Sequence, residues 1–301
     1  MRWRKLGRIF CPDGSQPWMR SHASVPIAQQ LQDDRYRIYF SSRDGQNRSH
    51  TGYFDIDMTQ PDRVLAVATD PVLSPGELGA FDDSGAMATW LVAGPDRDML
   101  YYIGWNLGVT VPFRNAIGLA TAAPASGTFQ RYARGPIVDR TPDEPHFCAS
   151  CCVLRDGDAW RMWYLSCTEW RQTAAGLEHR YHIKYATSTD GIAWKRDGTI
   201  AIDFAGEREV AISRPSVIRD PDMWRMWYSH RTDAYRIGYA ESLDGVTWER
   251  RDDESGIDVS ESGWDAEMIE YPFVFDHKGH RYMLYNGNGY GASGIGLAVL
   301  D

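Results

Sequence analysis

Internal repetition constrains this chain more than any single motif. Trp224-Arg225-Met226-Trp227-Tyr228-Ser229 is followed by Arg236-Ile237-Gly238-Tyr239-Ala240-Glu241-Ser242, then by Asp244-Gly245-Val246-Thr247-Trp248. Aromatic and β-branched residues alternate with polar ones at period two, and Asp-Gly favours a tight turn with positive φ. The stretch therefore reads as three antiparallel strands. Residues 160–164, 183–188 and 190–194 repeat it nearly residue for residue. Weaker copies surround Tyr39, Tyr102 and Tyr285. With Tyr39, Tyr102, Tyr164, Tyr228 and Tyr285 taken as equivalent, the unit recurs about every sixty residues.

Hairpin-rich self-similarity at that period predicts an all-β chain: a five-bladed β-propeller forming one domain over residues 1–301. The inner strand of each blade precedes the aromatic one, at residues 21–28, 83–92, 146–154, 212–219 and 268–275. The fifth copy stops at Asp301 without a terminal Trp strand. Trp3-Arg4-Lys5, however, resembles Trp194-Lys195-Arg196 and Trp248-Glu249-Arg250. Residues 1–8 are thus expected to close the last blade as its outer strand and to hide sheet edges.

Composition narrows the partners. A formal net charge of −9 disfavours nucleic acid and anionic membrane surfaces. No apolar run is long enough to span a bilayer, and the basic N-terminus lacks the apolar segment of a signal peptide. Five cysteines, an odd number, fit a reducing cytoplasm. Cys148-x-x-Cys151-Cys152 lies on an inner strand with no second Cys pair after it, which favours packing over a metal or redox role. No cofactor and no bound metal are expected.

Polar residues on the inner strands of a propeller face one axial pocket, so the site is sought there. Asp83 and Glu270 are the leading acid/base pair for a glycosidic bond, with Asp82 a rival beside them and Asp265 and Glu267 further ones. Asp82 and Asp265 also suit turn capping. Arg214 could clamp an anion or neutralise Glu270. His22 and His146 could carry protons, hold a metal or be hydrogen-bonded channel residues. Trp105 and Tyr290 offer stacking walls. Arg114, Glu144, Glu267 and Asn288 complete the substrate-binding candidates.

The blade pattern Trp-Arg-Met-Trp-Tyr-Ser, the run Gly-Tyr-Ala-x-Ser-x-Asp-Gly-x-x-Trp, and Gly263-Trp264-Asp265 ahead of Tyr271-Pro272-Phe273-Val274 carry a resemblance. Over essentially its whole length, the chain resembles the five-bladed propeller proteins of the glycoside hydrolase 43/32/68 and 130 type. It is also similar to a bacterial glycosidase-like group associated with surface-polysaccharide synthesis. The resemblance implies an Asp base on blade one, an auxiliary Asp on blade two and a Glu acid on blade three. Here blade one carries Ser21-His22-Ala23-Ser24 and no carboxylate; blade two keeps Asp82 and Asp83, and blade three offers Glu144. A phosphorylase-like variant would draw its phosphate site from Arg214, Arg114 and His146.

Two functions follow as expectations. One is a carbohydrate-active enzyme, a glycosidase-like hydrolase or phosphorylase acting on a glycoside or activated sugar. The other is a non-catalytic sugar-binding propeller serving polysaccharide biosynthesis. In both, the partner is a small-molecule carbohydrate.

Overall fold

A computed structural model describes residues 1–174 and 176–301. The chain is all-β apart from two single turns of helix, Asp252–Glu254 and Asn288–Gly291. The strands pair into three sheets, none closed on itself: one of four strands and two of eight. Each eight-stranded sheet divides into two consecutive antiparallel four-stranded meanders. Their ladders join through one parallel residue pair, Ser49 with Gly85 in one sheet and Tyr181 with Ala211 in the other. The sequence predicts five separate sheets. Three appear because the innermost strand of a following meander comes within bonding distance of its predecessor at those two points.

The predicted inner strands lie at Ser21–Gln32, Gly85–Val92, Cys148–Asp156, Ala211–Arg219 and Glu270–His277. The four-stranded sheet contains both ends of the chain. Trp3–Phe10 pairs antiparallel with Ile295–Leu300, Trp3 opposite Leu300 and Phe10 opposite Ile295. Lys5 Nζ lies 2.7 Å from the buried Asp265 carboxylate, which also accepts from Tyr285 Oη at 3.0 Å. Replacing Asp265 by Asn is expected to cost about 1–3 kcal/mol in urea denaturation and to speed proteolytic release of the first strand. An unchanged midpoint would show that this pair does not fasten it.

Sequence repetition becomes packing repetition. Tyr101 meets Trp194 edge-on, Trp163 meets Trp248, and Trp227 meets Trp3, with centroids 6.4, 6.1 and 5.7 Å apart. Trp3 therefore does for the last meander what Trp194 and Trp248 do for theirs. Between them, Tyr101 Oη and Trp163 Nε1 donate to the carbonyls of Gly191 and Gly245, the glycines of the Asp-Gly turns, both at φ near +75°. The Gly of each Ile-Gly motif has its own cause. A Cβ at Gly118 or Gly238 would stand 2.3 or 2.6 Å from the ring of Tyr102 or Tyr228 on the facing strand.

That facing relation corrects the repeat register. Tyr102, Tyr228 and Tyr285 lie opposite Gly118, Gly238 and Gly296, whereas in the first copy Phe40, not Tyr39, lies opposite Gly52.

Side-chain acceptors join neighbouring meanders near the centre. Thr51 Oγ1 accepts from Ala88 N, Thr89 Oγ1 from Cys151 N, Ser150 Oγ from Arg214 N, and Ser216 Oγ from Val274 N. Asn286 Oδ1 accepts from Val25 N, which returns the series to its start. The cysteines on these strands are buried and unpaired, as packing requires. Burial pushes the Cys148 thiol up to about 12 and Cys151 well above the usual range, so neither is a reactive thiolate. No helix among the described residues is long and apolar enough to cross a membrane.

Candidate functional site

Each innermost strand bends where it nears the centre. In three of them a residue with left-handed φ precedes a proline: Val25 at +56°, Arg214 at +52° and Tyr271 at +55°. Register shifts accompany all three. Such bulges re-aim side chains, and a left-handed β-branched residue such as Val25 is held there only by its surroundings. The five strands then contribute Val25, Met87, Ala149, Ser213 and Tyr271 to one cavity of about 500 Å³, a size that suits a small ligand.

The walls come from the ends of the outer strands. Trp105 and Asn115, directly paired, form one side, and the Trp105 indole donates to Ser49 Oγ at 3.2 Å. Opposite in the chain, the hairpin of Ala159–Thr173 and Gly176–Ser188 extends well past its sheet neighbours. Its His179 stacks on Tyr181 with centroids 5.0 Å apart and meets Phe113 and Phe147 edge-on. Tyr181 and Tyr235 share a short hydroxyl–hydroxyl hydrogen bond, and Tyr290 packs edge-on against Tyr235 at 6.0 Å. Residues 169–173 and 176–180 thus build an aromatic wall from paired strands.

No Asp or Glu lines this cavity among the described residues; its charged side chains are Arg43 and Arg231. This departs from the expected ring of carboxylates, and each candidate has a definite place. Trp105 and Tyr290 line the cavity. Asp83 does not: it closes a turn, accepting from Gly79 N at 3.0 Å and Ser84 Oγ at 3.0 Å. Asp82 is buried and spent on Arg131 Nε at 2.8 Å and Tyr102 Oη at 3.1 Å. Glu144 is likewise buried among Tyr164, Ser166, Arg196 and Lys184. The same carboxylate–tyrosine–cation arrangement holds Asp265, so these three acids fasten strands rather than face a ligand.

Four other candidates miss the cavity by one residue. Asn115 lines it while Arg114 is exposed, and Phe147 lines it beside His146. Ser213 and Tyr271 line it where Arg214 and Glu270 were expected. Adjacent residues on a strand face opposite sides, and the bulges decide which faces inward. Arg214 is fully buried; it donates to the carbonyls of Thr89 and, at 2.8 Å, Pro26, so it is not free to clamp a ligand and forms no ion pair with Glu270.

Asn288 is occupied with backbone, accepting from Glu267 N at 2.8 Å and donating to Gly263 O at 3.1 Å; the Glu267 side chain is exposed. His22, half-buried, contacts Ser21 Oγ at 2.8 Å; burial and the nearby Arg43 push it down to about 4. His179 is pushed to about 4 by burial and then Arg231. Both rings are neutral near pH 7.

Glu270 immediately precedes the lining Tyr271. It is fully buried with no hydrogen-bond partner for either oxygen. Burial pushes its pKa well above the usual range, against smaller pulls from Tyr271 and Arg231. One compact His/carboxylate group among the described residues, Glu209, His230 and Asp252, has metal-like spacing. Arg250 already bridges its carboxylates, at 2.7 Å to Glu209 and 2.5 Å to Asp252, so its counter-cation is a side chain.

Of the two lining cations, Arg43 was not singled out from sequence. Arg231 and Arg43 stand three residues after Tyr228 and Phe40, as Trp105 stands three after Tyr102. The repeat position of Trp105 was the signal, and the Tyr39 register concealed Arg43.

No protein-family model matches the chain. The Mycobacterium tuberculosis "Uncharacterized protein Rv1502" and its counterpart from a second strain, MT1551, are each 45% identical over 301 residues, covering 100% of both chains. Among solved structures, a "Glycoside hydrolase" aligns with TM-score 0.74 and 18% identity over 98% of this chain and 90% of its own. A thermostable family-43 glycoside hydrolase aligns at 0.69 and 16%, covering 96% and 91%. A member of the GH130 mannoside phosphorylase family, described with hydrolases of β-1,2-mannosidic linkages, aligns at 0.71 and 15%, covering 99% and 93%. These likenesses show a glycoside-hydrolase-type, propeller-like fold.

Proposed function

Since this chain belongs to the family of the Mycobacterium tuberculosis protein Rv1502, and folds as glycoside hydrolases do, we propose that it is a sugar-binding, five-bladed propeller. Each four-stranded meander counts as a blade of one domain over residues 1–301. The central hydrogen bonds, which run through all five meanders and back to Val25, support that count. Its five unpaired cysteines support a reducing compartment such as the cytoplasm, where polysaccharide precursors are assembled.

One observation carries the binding reading: the cavity reached by every meander is lined by aromatic and aliphatic faces, amides, hydroxyls and two arginines, with no carboxylate among the described residues. Ring faces stack on sugars, and Asn47, Asn115, Ser150 and Ser213 suit hydroxyl groups. Two-carboxylate hydrolysis requires a pair of acids flanking the bond, roughly 5–10 Å apart. Asp82 and Glu144 are held in ion pairs and Asp83 in its turn, which leaves Glu270 alone beside the cavity.

Titration of the protein with mono- and oligosaccharides, followed by tryptophan fluorescence and ligand-observed NMR, is expected to show saturable binding. Trp105→Ala and Tyr290→Ala should each weaken it about tenfold. Silence across a broad saccharide panel would refute the reading. One observation favours a second reading: a carboxyl held protonated next to a cavity is what a general acid requires. Turnover of an aryl glycoside that needs phosphate and vanishes in Glu270→Gln would establish it.

A further inference from the structure

Several internal arginines in this chain are matched with carboxylates, whereas the fully buried Arg214 donates to two backbone carbonyls. Arg37 lies 2.9 Å from Asp55, Arg131 2.8 Å from Asp82, Arg250 2.7 Å from Glu209 and Arg281 2.7 Å from Asp220. Arg43 and Arg231 break the pattern. Neither has an ion-pair partner among the described residues, and both line the central cavity. Arg43 donates to the neutral Asn47 Oδ1 at 3.0 Å. Arg231 lies over the Tyr235 ring at 5.5 Å, and its Nε is buried without an acceptor.

We propose that the ligand of this cavity is a sugar bearing an oxyanion, a carboxylate or phosphate group, received by Arg43 and Arg231. The assignment rests on the cavity being the sugar site. A guanidinium withdrawn from water without an acceptor is costly, whereas its planar fork matches carboxylate and phosphate geometry. In a chain of net charge −9, two uncompensated cations in one hollow free of carboxylates are a local reversal of sign. Burial pushes the carboxyl of Glu270, a neighbour of Arg231, toward its neutral form and so leaves the charge of Arg231 available. The lining His179, pushed to about 4, adds a hydrogen-bonding group but no charge near pH 7.

Isothermal titration of the full chain at low salt tests this with four probes: glucuronate, glucose 1-phosphate, methyl glucoside and inorganic phosphate. At least one acidic sugar should bind about tenfold or more tighter than methyl glucoside, with the gap narrowing as salt rises. Whichever acidic probe wins identifies the anion. Arg231→Gln and Arg43→Gln should bring the acidic-over-neutral preference close to unity. Equal binding of acidic and neutral sugars by the unaltered protein would overturn the oxyanion assignment and leave sugar binding standing. Phosphate binding that disappears in Arg231→Gln, with no saccharide bound, would keep the oxyanion site and overturn the sugar reading. No binding of any probe would remove both.

Discussion

Replacing Arg214 by Met is expected to lower the melting temperature by roughly 5–10 °C, a loss of about 3 kcal/mol or more. Arg214 is fully buried between the rings of Trp90 and Phe273, 5.5 and 5.8 Å from their centroids. It donates to Pro26 O and Thr89 O, carbonyls of the first and second meanders, from its own place in the fourth. One side chain therefore ties three meanders together. Two effects compete on substitution. Losing a buried charge relieves a desolvation cost, evident in the push of the Arg214 pKa down to about 10. Against that, Met leaves two buried carbonyls without donors, and each bond from a charged donor contributes about 1.5–3 kcal/mol. The carbonyls outweigh the charge because no water reaches them. Calorimetry of Arg214→Met decides the matter, with Arg214→Lys expected to recover part of the loss. A Met variant as stable as the parent would mean that the guanidinium is not a tie.

The second large effect is a slope in pH. Glu270 is protonated in the fold, with its pKa raised far above an ordinary value of 4.5 by burial. Between those two values the folded chain holds a proton that the unfolded chain has released. Stability contributed by the protonated group is thus fully present below about pH 4.5 and is lost as pH rises toward the folded pKa. The expected decline is about 1.4 kcal/mol per pH unit. His22 and His179, both lowered, act with the opposite sign between about 4 and 6.5, so the slope is read as the difference between the parent and Glu270→Gln, in which the histidine contributions cancel. On the acid side, hydrogen bonds from Arg250 and His230 outweigh burial and hold Glu209 at about 2, so its contribution is lost only as pH falls below its ordinary range. Urea denaturation at several pH values should show the decline in the parent and its absence in Glu270→Gln, which should be the more stable protein at pH 8. Parallel pH profiles for the two would show that Glu270 ionises freely.

Much of this architecture is legible in the sequence, and the parts that are not have a common cause. Hairpins, Asp-Gly turns and the joining of Trp3 to the C-terminal strands follow from period-two patterning and from glycines that only one backbone conformation accounts for. The site is harder. At Val25, Arg214 and Tyr271 the strand leaves its alternation, so Ser213 and Tyr271 turn inward where patterning points to Arg214 and Glu270. Asp82, Glu144 and Asp265 read as chemistry because acids near an axis are costly. In the fold, tyrosines and cations from distant segments compensate them, and no local pattern announces those partners. Arg43 was hidden by a slip of one residue, Tyr39 for Phe40, which flips every face in that copy.

The pairing of Trp3–Phe10 with Ile295–Leu300 also sets an order of events during biosynthesis. Trp3–Phe10 cannot find its neighbour until Ile295–Leu300 has been translated, an interval of tens of seconds at ordinary elongation rates. Throughout that delay the first of these strands has no partner for its backbone groups, an exposed edge of the kind that invites aggregation. A circular permutant opened between two meanders instead would let every four-stranded meander form from contiguous sequence.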